Sequence, residues 1–208
     1  MRMSKRTETT LCVPWLAQAS NNVYSQFGED GLIAAVLDRI GATNQQCFEV
    51  GAYDGTVCSN ARALIEQEWL ACLIEKDDEN YAKLSALYAD NPKVSTVHSC
   101  VFPWTIDDIL NDAGCVPDMD LGVIDIDEQD FWVWAGMQRY VPRVMLVEYA
   151  AYKPRWQIPM IRSDEGEADI RVQAGLGHIL ALGVAKGYVA LAQTPCNVLF
   201  ARKELVYG

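Results

Sequence analysis

Apolar residues fall into two alternating rhythms along the 208-residue chain. Short apolar runs, bounded by glycine, proline or acidic residues, lie at 47–50, 70–74, 94–98, 121–127, 143–147, 187–192 and 197–202. Such runs predict strands, and those buried on both faces read as near-continuous hydrophobic segments. Between them the spacing changes to three and four. Leu32, Ile33, Val36, Leu37 and Ile40 form one stripe inside 23–40, and Ala61, Leu64 and Ile65 form another inside 57–67. Further stripes are Tyr81, Leu84 and Leu87; a short one over 106–111; Phe131, Trp132, Trp134 and Met137; and Leu176, Ile179, Leu180, Leu182 and Val184 within 175–186. These are amphipathic helices. Strand and helix in alternation predict an α/β fold, a mostly parallel sheet with helices on both faces. The last two runs, joined by Thr194-Pro195, predict a terminal antiparallel pair. Residues 1–22 read as a loose N-terminal arm and 23–208 as a single domain.

Composition narrows the partners. Half the residues are hydrophobic and the formal net charge is −11. One domain with a substantial core is expected, and a nucleic-acid backbone is disfavoured as main partner. No apolar run spans a membrane. Pro14 and Gln18 interrupt the mildly apolar 11–19, a poor fit to a signal peptide. The seven cysteines are scattered, odd in number and without a Cys-x-x-Cys pair. Reduced thiols in the cytoplasm are expected.

The candidate chemistry gathers at strand ends. Cys47-Phe48-Glu49-Val50-Gly51-Ala52-Tyr53-Asp54-Gly55, closed by Ser59-Asn60, reads as a strand, a glycine loop and a helix start. Such a loop lets a nucleotide-like ligand approach the main chain. Its spacing is Glu-x-Gly-x-x-x-Gly. Glu49 repels a pyrophosphate and attracts an ammonium or sulfonium, which points to S-adenosylmethionine rather than NAD. Glu75 ends the second strand, about twenty residues on, where an acid can accept ribose hydroxyls; Lys76 follows it. Ser99 and Cys100 stand where an adenine edge would lie. Tyr24 and Gln26 can close over the ligand, whereas Glu29 and Asp30 read as first-turn acids that complement a helix dipole. His98 reads as a structural strand-end histidine, and Trp104 as core or pocket wall. Asp125 and Asp127, two apart on an extended strand, share a face. Like charges so placed are costly unless paired, hydrated or used. Glu148 ends the fifth strand. Glu49, Glu75, Asp125, Asp127 and Glu148 thus line one edge of a parallel sheet. The polar stretch 150–172, with Lys153, Pro154, Arg155, Trp156, Pro159, Arg162 and Ser163 to Glu167, reads as a substrate lid.

These residues resemble the class I S-adenosylmethionine-dependent methyltransferases, and more narrowly the FkbM-like methyltransferases. The resemblance is carried by Tyr24-Ser25-Gln26-x-Gly28-Glu29-Asp30-Gly31, Phe48-Glu49-Val50-Gly51-Ala52-x-Asp54-Gly55, Ser59-Asn60, Ile74-Glu75 and Asp125-Ile126-Asp127-x-x-Asp130. Pro142-Arg143-Val144 leading to Glu148-Tyr149, Lys186-Gly187-Tyr188, Asn197 and Phe200-x-Arg202 complete it. It implies a Rossmann-like seven-stranded sheet with a reversed terminal strand, and methyl transfer to an oxygen of a sugar or small metabolite. Two departures stand out: Glu128-Gln129 where similar sequences read Gly-Asn, and Ala150 where an asparagine often follows Glu-Tyr.

The candidate cofactor-binding set is Gln26, Glu49, Gly51, Ala52, Asp54, Gly55, Ser59, Asn60, Glu75, Lys76, Ser99, Cys100 and Asp125. The candidate catalytic set is Asp125, Asp127 and Glu148, which can also share Mg²⁺. Two rival readings stay open. One is a metal-dependent phosphoesterase or nuclease on those three acids. The other is a non-catalytic protein retaining the fold, with Trp15, Tyr152 and Trp156 as candidate partner surface.

Overall fold

A computed structural model describes residues 11–161 and 173–208. The seven strands are β1 (Gln46–Val50), β2 (Leu70–Glu75), β3 (Val94–His98), β4 (Leu121–Ile124), β5 (Val144–Glu148), β6 (Tyr188–Gln193) and β7 (Asn197–Arg202). They form one sheet in the order β3-β2-β1-β4-β5-β7-β6. β7 runs antiparallel to both its neighbours and the other six strands share one direction. The register sets Val50 beside both Ile74 and Ile124, and Ile124 beside Val147, so the carboxyl ends finish level. The strand order reverses between β1 and β4, where an open α/β sheet leaves a crevice.

Alternation along the strands fills two layers. Cys47, Leu121, Val123, Val144 and Leu146 face one side, with α1 (Glu29–Ile40), α2 (Arg62–Ile65) and α3 (Asp78–Leu87). Phe48, Ile124, Met145 and Val147 face the other, with α4 (Ile106–Asp112), α5 (Asp130–Gly136) and α6 (Leu176–Ala185). A short α7 (Lys203–Tyr207) follows β7. No helix among the described residues is long and apolar enough to cross a membrane.

Four expectations are corrected. The helix expected over 57–67 shrinks to Arg62–Ile65. The Asp54 carboxylate accepts from the amides of Thr56 and Val57, and Glu49 accepts from those of Asn60 and Ala61. Those N–H groups point to side chains instead of entering a helical ladder. β4 ends at Ile124, and Asp127 has a positive φ of 62°. The two acids therefore do not share the face of an extended strand; a turn brings them together. Residues 11–20 of the expected arm are pinned rather than loose. Val13 donates to Leu191, Gln193 donates to Leu11, and Leu16 is buried. Trp104 is exposed and stacks on Phe102 at 5.2 Å, so it is not core. Residues 1–10 and 162–172, including Arg162 and Ser163 to Glu167 of the expected lid, lie outside the described residues.

Candidate functional site

At the carboxyl edge of β1 and β4 lie two cavities, each of about 240 Å³. The first, towards β2, is lined by Glu75, Lys76, Asp77, Asn80, Ser99 and Cys100. The second is lined by Gln26, Glu49, Val57, Cys58 and Asn60. Gly51, Tyr53, Asp125 and Asp127 line both, so these four form the junction.

Gly51 makes the junction possible. Its φ is +83°, and a Cβ there would stand 1.9 Å from the carbonyl oxygen of Asp125. Only a residue without a side chain lets the loop after β1 pass so close to the turn after β4. The loop is then clamped from beneath. Glu49, 2% exposed, accepts from Ser59 Oγ at 2.8 Å and from the Asn60 amide at 2.7 Å. With the Ala61 amide at 3.3 Å, three of about four lone-pair positions are used. Burial pushes Glu49 up to about 7, against those hydrogen bonds. Its attraction for a cation therefore acts as a field, and its oxygens serve the loop.

Glu75 does the same for the next turn. It accepts from the amides of Tyr53 (2.8 Å), Lys76 (2.9 Å) and Asp77 (2.8 Å). About one lone-pair position is left for a ligand hydroxyl. Lys76 Nζ lies 3.6 Å from Glu128 Oε1 at the cavity wall. His98 is structural, stacked on Tyr81 with its Nε2 3.1 Å from the Lys76 carbonyl.

The acidic rim is arranged in depth. Asn197 Nδ2 donates to Asp125 Oδ2 at 3.1 Å. Burial pushes the Asp125 carboxyl up to about 6, with the Asp127 and Glu29 charges adding to it and the Asn197 bond opposing. Glu148 sits behind and lines neither cavity. It accepts from the Asp127 amide at 2.8 Å and from Gln173 Nε2 at 3.2 Å. Burial, then Asp130, Asp125 and Asp127, holds its carboxyl far above the ordinary range. Asp130, accepting from the Ile126 amide, is raised by burial and by Asp125.

Of the expected site residues, Gln26, Glu49, Gly51, Asn60, Glu75, Lys76, Ser99, Cys100, Asp125 and Asp127 converge on the cavities. Ala52, Asp54, Gly55 and Ser59 do not line them. Ala52 is core, Asp54 caps its own turn, Gly55 lies under Leu84 and Tyr88, and Ser59 holds Glu49. Glu29 and Asp30 do more than complement a helix dipole: Asp30 Oδ2 accepts from the amides of Val23, Tyr24 and Ser25, fixing the loop that carries Gln26. No group of three or more His, Cys, Asp or Glu among the described residues is placed to hold a metal ion. The Mg²⁺ site expected on Asp125, Asp127 and Glu148, which the hydrolase reading also needs, is not assembled there. Sequence reasoning missed Gln173 as partner of Glu148 and Asn197 as partner of Asp125. The signal for Asn197 was the reversed strand, whose register sets it opposite Glu148.

No protein-family model matches the chain, and no curated protein does. Solved structures do. The N-terminal domain of EvdMO1 with SAH bound aligns at 15% identity over 84% of this chain and 80% of that one, with a TM-score of 0.54. The Methanococcus jannaschii fibrillarin pre-rRNA processing protein aligns at 13% identity over 79% and 69%, with a TM-score of 0.52. A putative O-methyltransferase from Klebsiella pneumoniae aligns at 15% identity over 84% and 79%, with a TM-score of 0.52. This chain has the Rossmann-like fold of these structures, with a seven-stranded sheet and one reversed strand near its carboxyl end.

Proposed function

We propose that the protein is an S-adenosylmethionine-dependent methyltransferase, in keeping with the FkbM-like resemblance, acting on a hydroxyl of a sugar or small metabolite. The observation that carries this reading is the junction: two cavities meet at a glycine that admits main-chain approach, with an acid at the end of β2 on one side and the acids after β4 between them. A neighbouring fold, the N-terminal domain of EvdMO1, was solved in the presence of SAH and D-fucose, at 14% identity and a TM-score of 0.53. None of the seven cysteines is in a disulfide, which supports a reducing, cytoplasmic setting.

The residues fit the cofactor by their chemistry. Glu75 would accept from a ribose hydroxyl, and Ser99 and Cys100 would border the base. Gln26, Asn60 and Asp125 would hold the amino-acid arm, and Asn60 Oδ1 is buried without a partner among the described residues. When bound, the cofactor supplies an electrophilic methyl group on a sulfonium. The protein aligns the acceptor and receives its proton. Asp127 is placed for both tasks, at the junction and exposed. Glu148 acts through it, by holding its amide. Calorimetry on variants tests the division of labour. Glu75→Gln is expected to weaken SAH binding at least about tenfold, as loss of a charge-assisted hydrogen bond does. Asp127→Asn is expected to leave SAH affinity unchanged and to abolish methyl transfer. Unchanged SAH affinity in Glu75→Gln would remove the ribose assignment.

A further inference from the structure

Trp156 is exposed without being free. It stands in the turn 154–157, where the Gln157 amide donates to the Pro154 carbonyl at 2.8 Å. Two amides at the start of α6 fasten that turn: Gly177 donates to the Arg155 carbonyl at 2.7 Å, and Gly175 to that of Gln157 at 3.0 Å. So close an approach needs both glycines. A Cβ at Gly175 would stand 2.3 Å from the Pro154 carbonyl oxygen. One at Gly177 would stand 2.7, 2.8 and 2.8 Å from Cδ2, Cε2 and Cε3 of the indole. A point nearly equidistant from those three bonded atoms lies over the ring and not beside it, so Gly177 sits beneath one face. The His178 ring meets the indole at 88°, with centroids 5.3 Å apart. Trp156 is nevertheless 60% exposed, so the opposite face is open to solvent. An apolar face held rigidly outward marks an interaction site.

Two sets of contacts tie this face to the turn that carries Asp127. In one, the Tyr152 hydroxyl donates to Gln173 Oε1 at 2.7 Å, Gln173 Nε2 donates to Glu148, and Glu148 accepts from the Asp127 amide. In the other, His178 meets Phe131 at 6.2 Å, and the adjoining Asp130 accepts from the Ile126 amide. Trp156 lines neither cavity. The face is therefore outside the cofactor crevice yet fixed to the same turn, where a part of the acceptor that is not methylated would lie.

We propose that the acceptor is a saccharide of two or more rings and that Trp156 is its outer subsite: one pyranose stacks on the open indole face while a hydroxyl of its neighbour reaches Asp127. This rests on the methyltransferase reading above. A pyranose presents polarised C–H groups on one face and hydroxyls round its edge. The C–H groups suit the negative face of an indole, and the hydroxyls keep their water. A nucleobase would stack too, but its phosphates are opposed by the net charge of −11. Ile158, Met160 and Ile161 are also exposed. A lipid surface, however, has no need of a ring held flat over glycine, and Asp164, Glu165 and Glu167 follow in the sequence.

The test reads the indole N–H signals of ¹⁵N-labelled, SAH-saturated protein by NMR. The Trp156 signal is the one absent from Trp156→Phe. Cellobiose, lactose, maltose and gentiobiose are titrated against D-glucose and D-galactose. At least one disaccharide is expected to move the Trp156 signal and to bind about fivefold or more tighter than its monosaccharides. Trp156→Ala should bring the pair within about twofold, with SAH affinity unchanged. Trp156→Phe should retain part of the preference. Gly177→Ala should displace the Trp156 signal in the free protein and lower the preference. No preference for any of the four disaccharides, a Trp156 signal that stays still on binding, or a preference that survives Trp156→Ala overturns the proposal. A response of that signal to phosphatidylcholine vesicles and to no sugar also overturns it, and assigns the face to a lipid surface. Failure of SAH itself to bind overturns the methyltransferase reading, and the proposal with it, so the two failures are distinguishable.

Discussion

Asp125 opposes folding in proportion to its charge, and the size of that opposition can be worked out. The group is pushed to about 6 from a reference value of 3.8, chiefly by burial. A carboxyl raised in the folded state contributes stability that is present below the unfolded value and lost as pH rises through the folded one. The window is therefore about pH 4 to about pH 6. A carboxyl held about two pH units above its ordinary value destabilises the fold by about 3 kcal/mol once fully ionised, and by about 0.5 kcal/mol near pH 4. Asp125→Asn removes the charge and keeps an oxygen to accept from Asn197 Nδ2. The variant should gain stability over the parent by about 2 kcal/mol more at about pH 8 than at about pH 4. Urea unfolding of both proteins at the two pH values measures this, with the slopes checked for constancy. A difference between variant and parent that does not change with pH would refute the reasoning. So would a variant that is less stable at the higher pH. The same charge should aid a cationic ligand, so the variant should bind S-adenosylmethionine more weakly despite its greater stability, the usual trade at a working site.

Three further outcomes follow from the geometry. Gly51→Ala places a Cβ 1.9 Å from the Asp125 carbonyl at φ +83°; it should cost at least about 2 kcal/mol in urea unfolding and remove SAH binding. Asp120 is fully buried and accepts from the amides of Thr43, Asn44 and Gln45, with Arg143 Nε at 3.0 Å; Asp120→Ala should lose about 3–5 kcal/mol by the same measurement. Cys58 and Cys12 are the exposed thiols, and only Cys58 of the two lines a cavity. SAH should protect Cys58 from N-ethylmaleimide and leave Cys12 unprotected, read by peptide mass spectrometry.

Much of this was legible in the sequence because buried strands announce themselves. Runs such as Leu70 to Ile74 and Val144 to Val147 are apolar on both faces, and the acids at their carboxyl ends mark where the sheet meets solvent. Parallel direction then brought Glu49, Glu75 and Glu148 to one edge. The loop after β1 was not legible. Its helical stripe, Ala61, Leu64 and Ile65, is real, but the preceding amides are claimed by Asp54 and Glu49, and such side-chain competition leaves no periodic trace. The meeting of Asp125 and Asp127 was expected for the wrong reason, since a left-handed residue replaces the extended strand. Asn197 and Gln173 reach the rim by register and by a long connection, and neither distance is written in local pattern.

The central claim is that the crevice at Gly51, Glu75 and Asp125 holds S-adenosylmethionine. Isothermal calorimetry of the purified protein with S-adenosylmethionine and with SAH tests it most directly. Saturable one-to-one binding of both is expected, lost in Gly51→Ala and weakened in Glu75→Gln. Absence of binding by either ligand in the folded parent protein would contradict the account.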